Sequence, residues 1–127
     1  MPTKNDPPMP SFVELPPFQR HRQQYLDDDA YRQLQAMLIE NPEAGAVIRG
    51  TGGLRKVRFE DKQRGKGKRG GLRVIYYYWV EGYEFWMFTL YNKDEMDDLS
   101  DKERDAIGAL LAQEVATRTK PTGKRGK

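Results

Sequence analysis

Apolar and polar residues alternate over Ser11-Phe12-Val13-Glu14-Leu15, which predicts a short strand closed by Pro16-Pro17, where the second proline suits the first turn of a helix. That helix is expected from about Pro17 to Leu26. Asp27, Asp28 and Asp29 then supply an N-cap and negative charge for a second helix, with Tyr31, Leu34 and Leu38 on one face and Asn41-Pro42 as its stop. The two should form a helical hairpin. β-Branched and aromatic residues concentrate in Leu54 to Phe59, Gly71 to Val80 and Tyr83 to Tyr91, with Glu81-Gly82 as a tight turn between the last two, so a three-stranded antiparallel meander follows. Ser100 and Glu103 make a capping box for a last helix whose Ile107, Leu110, Leu111 and Val115 lie on one stripe. The order β-α-α-β-β-β-α describes an α+β domain with helices packed on a sheet.

At 127 residues the chain has room for one core. Residues 1–10 hold four prolines and are expected to be a disordered tail, the body runs over 11–118, and 119–127 form a second disordered tail made basic by Lys120, Lys124, Arg125 and Lys127. Charged residues reach 32%, but seven Tyr, five Phe and two Trp supply enough apolar area to close a small sheet. Without cysteine there is no disulfide, cysteine nucleophile or thiolate metal site, and a cytoplasmic location is the default expectation. No apolar run approaches the roughly 18 to 20 residues of a membrane span, and MPTKNDPPMP lacks the hydrophobic block of a secretory signal.

Charge changes the picture most between Arg49 and Arg73. Ten Lys or Arg stand there against Glu60 and Asp61, a local charge of +8 in a protein of net +3. A flexible, solvated basic loop is one reading. The other is a polyanion site, because glycines let backbone approach a ligand and the aromatic run Tyr76-Tyr77-Tyr78-Trp79 follows. Strand parity favours the second reading. Lys56 and Arg58 project from one face about 7 Å apart, and a hairpin partner brings Arg73, which shares a face with Ile75 and Tyr77, towards them. Such clustered cations repel unless an anion neutralises them, although scattered arginines lying along the surface remain an alternative. Lys66, Lys68 and Arg69, spaced by glycines, are suited to RNA phosphates. Arg55 is a further RNA-binding candidate. His21 is the only histidine, which excludes a paired-histidine ribonuclease mechanism. The acids Asp94, Glu95, Asp97 and Asp98 read more readily as partners of the following helix dipole than as a metal cluster, so neither metal nor cofactor is expected.

The segments GTGGLRKVRF, RGKGKRGGLRVIYYYW and FTLYNKDEMDDLS resemble the RelE/ParE superfamily of toxins from type II toxin–antitoxin systems, specifically its HigB-like branch, over about Phe12 to Thr117. The resemblance implies a RelE-like fold: an N-terminal helical hairpin packed on a twisted, antiparallel four-stranded sheet, with a C-terminal helix. It further implies a metal-independent endoribonuclease, an mRNA interferase that enters the A site of the 70S ribosome, cuts messenger RNA by 2′-hydroxyl attack and inhibits translation, and whose partner is a helix-turn-helix, DNA-binding antitoxin. Position by position, the family's paired basic residues correspond to Lys56 and Arg58 and its early arginine of the next strand to Arg73. The family's Gly-Lys-Arg turn and later tyrosine are replaced by Asn92-Lys93-Asp94 and Ser100, leaving Lys93 as a candidate catalytic cation and Tyr77 or Tyr91 as candidate stacking surfaces. A non-cleaving binder of RNA or the ribosome, and a ParE-like gyrase-directed toxin, are the other readings.

Overall fold

The computed structural model describes residues 9–61, 71–94 and 98–119. Within them the order is β1 (Ser11–Glu14), α1 (Pro16–Tyr25), α2 (Asp28–Glu40), β2 (Ala46–Val47), β3 (Arg55–Phe59), β4 (Leu72–Trp79), β5 (Glu84–Asn92) and α3 (Asp101–Thr119). The helix ends follow the local chemistry of the sequence. A carboxylate oxygen of Asp27 accepts from Ala30 N at 2.8 Å, satisfying one of the amides that open α2. At α3 the capping box closes reciprocally: Ser100 Oγ accepts from Glu103 N at 3.1 Å and Glu103 Oε1 accepts from Ser100 N at 2.8 Å. The hairpin turn spans residues 80–83, where Tyr83 N donates to Val80 O at 3.1 Å.

The sheet corrects the expectation of four antiparallel strands behind an N-terminal helical hairpin. It has five strands among the described residues, in the order β1-β5-β4-β3-β2, and it is mixed, because β1 runs parallel to β5 while the other pairs are antiparallel. A parallel pair needs a long crossover connection, and everything from α1 to β4 lies between these two strands. The helix pair therefore follows a strand that belongs to the sheet. β1 covers β5 only from Glu84 to Met87, and α1 packs along β5. The added strand, β2, has two residues, too short to show any periodicity. Tertiary contacts hold it instead: the Tyr76 hydroxyl accepts from Gly45 N at 3.0 Å and donates to Pro42 O at 2.7 Å. Gly45 lies so close to β3 that a Cβ there would come within 2.8 Å of Lys56 O.

Helices cover both faces of the sheet. On one side Phe18 of α1 and Leu34 and Leu38 of α2 meet Val57, Val74, Tyr76 and Met87. On the other, α3 lays Leu111 with Ile107, Leu110 and Val115 against Leu54, Ile75, Trp86 and Phe88, the stripe expected from its spacing. The far end of α3 is tied down by Arg118, whose guanidinium lies 5.0 Å from the centroid of Trp86 and 3.0 Å from Glu84 Oε1. Among the described residues no helix is long and apolar enough to cross a membrane.

Candidate nucleic-acid interface

Register assembles the cationic face. Arg58 on β3 and Arg73 on β4 are direct cross-strand partners, Tyr91 on β5 partners Arg73, and Lys56 partners Ile75 one step along. Because neighbours across a sheet share a face, Lys56, Arg58, Arg73 and Tyr91 all lie on the side that α3 covers further along. Val57, Phe59, Leu72 and Val74 fill the other side beneath α1 and α2. Arg58 is exposed, whereas Arg73 is only 4% exposed, with one guanidinium nitrogen donating to Leu72 O at 3.3 Å. One guanidinium thus faces solvent beside another that is rooted in the sheet.

Lys56 is half-buried and meets Asp98, the residue just ahead of Leu99, with Nζ 3.1 Å from Oδ1. The same carboxylate oxygen accepts from Leu99 N at 2.8 Å. That backbone hydrogen bond is the largest influence on the Asp98 carboxyl; the Lys56 ammonium adds to it against a partial desolvation, and the group titrates below its ordinary value of 3.8. Asp98 is therefore an acidic anchor seated on the cationic face, a role its place in an acid run did not reveal.

Lys93 is exposed in the turn after β5, and its backbone N donates to Gly71 O at 3.2 Å, which places it beside the start of β4 and two residues from Arg73. The turn is fixed by Asn92, whose Oδ1 accepts from Asp94 N at 2.7 Å and whose Nδ2 donates to Asp61 Oδ2 at 3.0 Å. Asn92 and Asp61 are both buried, and together they clamp the end of β3 to the end of β5 across β4. The sequence reading missed this clamp; an Asx-turn signature at Asn92-Lys93-Asp94 was the signal for half of it, whereas Asp61, sitting among cations in the chain, gave none.

Two further candidates stand elsewhere and a third, Tyr91, is on this face but covered. Arg55 has the opposite parity from Lys56 and reaches back to Gly45 O (2.7 Å) and Glu43 (3.8 Å), so it does not join the cluster. Tyr77 packs on Trp86 with centroids 5.3 Å apart and lines a crease between α3 and the 50–52 loop. Tyr91 is buried beside Arg73 rather than presented as an open platform. Lys66, Lys68 and Arg69 lie outside the described residues. Among the described residues no group of three or more His, Cys, Asp or Glu side chains is placed to hold a metal ion.

No family model matches the chain. Among solved structures it is similar to a mutant of the E. coli toxin RelE in the free state, at 16% identity over 70% of this chain and 88% of that one, with a TM-score of 0.48. The isolated E. coli RelE toxin gives 15% identity over 79% and 97% of the two chains and a TM-score of 0.46. The intact E. coli RelBE toxin–antitoxin complex gives 18% identity over 63% and 92%, with a TM-score of 0.43.

Proposed function

We propose that this protein is a toxin of a type II toxin–antitoxin system, of the HigB-like branch of the RelE superfamily, and that it is a metal-independent endoribonuclease cutting messenger RNA in the A site of the ribosome. The observation that carries the proposal is the register pairing of Arg58 with Arg73 on the face that also bears Lys56. Two guanidinium groups set opposite each other on a sheet present a fork of donors and positive charge suited to a phosphodiester. The sequence motifs that resemble the superfamily span the same strands.

In the reaction the ribose 2′-oxygen attacks the adjacent phosphorus, the bond to the 5′-oxygen breaks, and a 2′,3′-cyclic phosphate remains. One proton leaves the 2′-hydroxyl and one arrives at the departing 5′-oxygen. Arg58 and Arg73 hold the phosphate in line and stabilise the charge that builds on its oxygens. Lys56, once the phosphate takes the place of Asp98 at Nζ, and Lys93 at the neighbouring turn are the amines available for proton transfer. The substrate and its ribosome place the protein in the cytoplasm, with a helix-turn-helix antitoxin as its inhibitory partner.

Primer extension on a defined messenger in a reconstituted translation reaction tests this reading. Cuts at A-site codons should require ribosomes and fall by about 100-fold or more in Arg73→Ala and in Arg58→Ala. Arg58 is exposed, so its variant separates chemistry from folding. Arrested translation with intact message would instead identify a non-cleaving binder.

A further inference from the structure

A cleft of roughly 610 Å³ opens between α1 and α3 over the outer part of β5, and the phosphate chemistry does not use it. Its walls carry His21, Gln24 and Tyr25 from α1, Thr89 and Tyr91 from β5, and Glu103 from α3. Tyr91 is the link to the cationic face. It is one wall of the cleft and at the same time the cross-strand partner of Arg73, so the cleft begins one strand, about 4.8 Å, beyond the row formed by Arg58 and Arg73. A nucleotide whose phosphate lies on that row can reach the cleft with its base.

The chemistry of the walls selects among bases. Tyr25, half-buried, supplies aromatic surface, while Gln24 offers an amide donor and acceptor side by side. Glu103 only accepts. Its Oε1 is held by Ser100 N, which fixes the carboxylate on the first turn of α3. Gln24 and Glu103 line the one cleft from opposite helices, and a carboxylate and an amide reaching one base together match an exocyclic amino group and a ring nitrogen, whereas the carboxylate opposes a keto oxygen at the amino position. We propose that the cleft is a base-recognition pocket for RNA, taking a nucleobase that bears an exocyclic amino group from the nucleotide adjoining the phosphate on Arg58 and Arg73; this rests on the RNA reading above.

Cytidine and uridine 3′-monophosphates differ in the group that matters, and inorganic phosphate lacks a base altogether. Each is titrated into the isotope-labelled full chain while backbone amide signals are followed by NMR. Phosphate should move Arg58 and Arg73 but not α1. Cytidine 3′-monophosphate should move those residues and also His21, Gln24 and Thr89, binding about tenfold more tightly than the uridine compound. Gln24→Ala and Glu103→Gln should each erase the preference, and glutamine at 103 keeps the capping box, so α3 stays in place. If cytidine 3′-monophosphate moves the strand residues yet leaves α1 untouched, or binds no better than its uridine counterpart, the pocket is refuted while the phosphate site stands. Silence at Arg58 and Arg73 with every probe would overturn the RNA reading and this inference with it.

Discussion

Asp98 holds two donors with one carboxylate oxygen, Leu99 N at 2.8 Å and Lys56 Nζ at 3.1 Å, and this gives the protein a pH signature. Its carboxyl is more acidic in the fold than the ordinary 3.8, so the stability it contributes is present above that value and is lost as the pH falls through the lower, folded one. The Asp98 side chain is 56% exposed, so solvent screening limits the contribution to roughly 0.5–1 kcal/mol. In urea unfolding, Asp98→Asn should be less stable than the native chain by that amount above about pH 5, and the two should converge in more acidic buffer. A gap that persisted at pH 2 would show that the asparagine acts by some other route. That Lys56 and Arg58 share a face was legible in the sequence because parity along a strand is a local property, and so was the approach of Arg73; the register that sets Arg73 directly opposite Arg58 was not. The contacts of Asp98 with Lys56 and of Asp61 with Asn92 were not, since each joins residues about 30 to 40 positions apart through a fold that has to exist first.

Among the elements, those with their own end signals were found where their caps predicted them: Asp27 opens α2, and Ser100 with Glu103 opens α3. β2 has no signal of its own. It exists because Tyr76, fully buried in β4, offers its hydroxyl to Gly45 and Pro42, and because Gly45 lets the chain lie against β3. Gly45→Ala tests that account. The new methyl would meet Lys56 O at 2.8 Å and the Tyr76 ring at 3.1 Å, so the strand has to move off, at an expected cost of about 1–3 kcal/mol in chemical denaturation. Hydrogen exchange should report the same event locally, as faster loss of the Ile48 amide, which donates to Leu54 O. Native-like protection at Ile48 in the variant would mean that β2 tolerates the methyl in place.

For the whole molecule, the net charge of +3 hides a strongly positive face, and association with RNA should be governed by that face rather than by the net charge. Single-stranded RNA affinity, followed by fluorescence anisotropy over a salt series, should fall on a log–log line, and replacing Lys56 and Arg58 together by alanine should flatten its slope by about 1.4, or roughly 0.7 per lost phosphate contact. An unchanged slope would place the RNA elsewhere. The direction of β1 was the global feature least accessible to sequence reading. Alternation identifies a strand without saying which neighbour it will join or which way it will run. Its pairing with β5 also bears on how the molecule is made. During synthesis the first strand emerges early, but its partner begins only at residue 84 of 127, and until then Phe18, Leu34 and Leu38 have no finished sheet to cover them. A chain arrested before that point therefore carries a greasy, unclosed half-domain, the kind of surface that chaperones and proteases recognise, and the sheet that pairs Arg58 with Arg73 closes only after most of the message encoding it has been read.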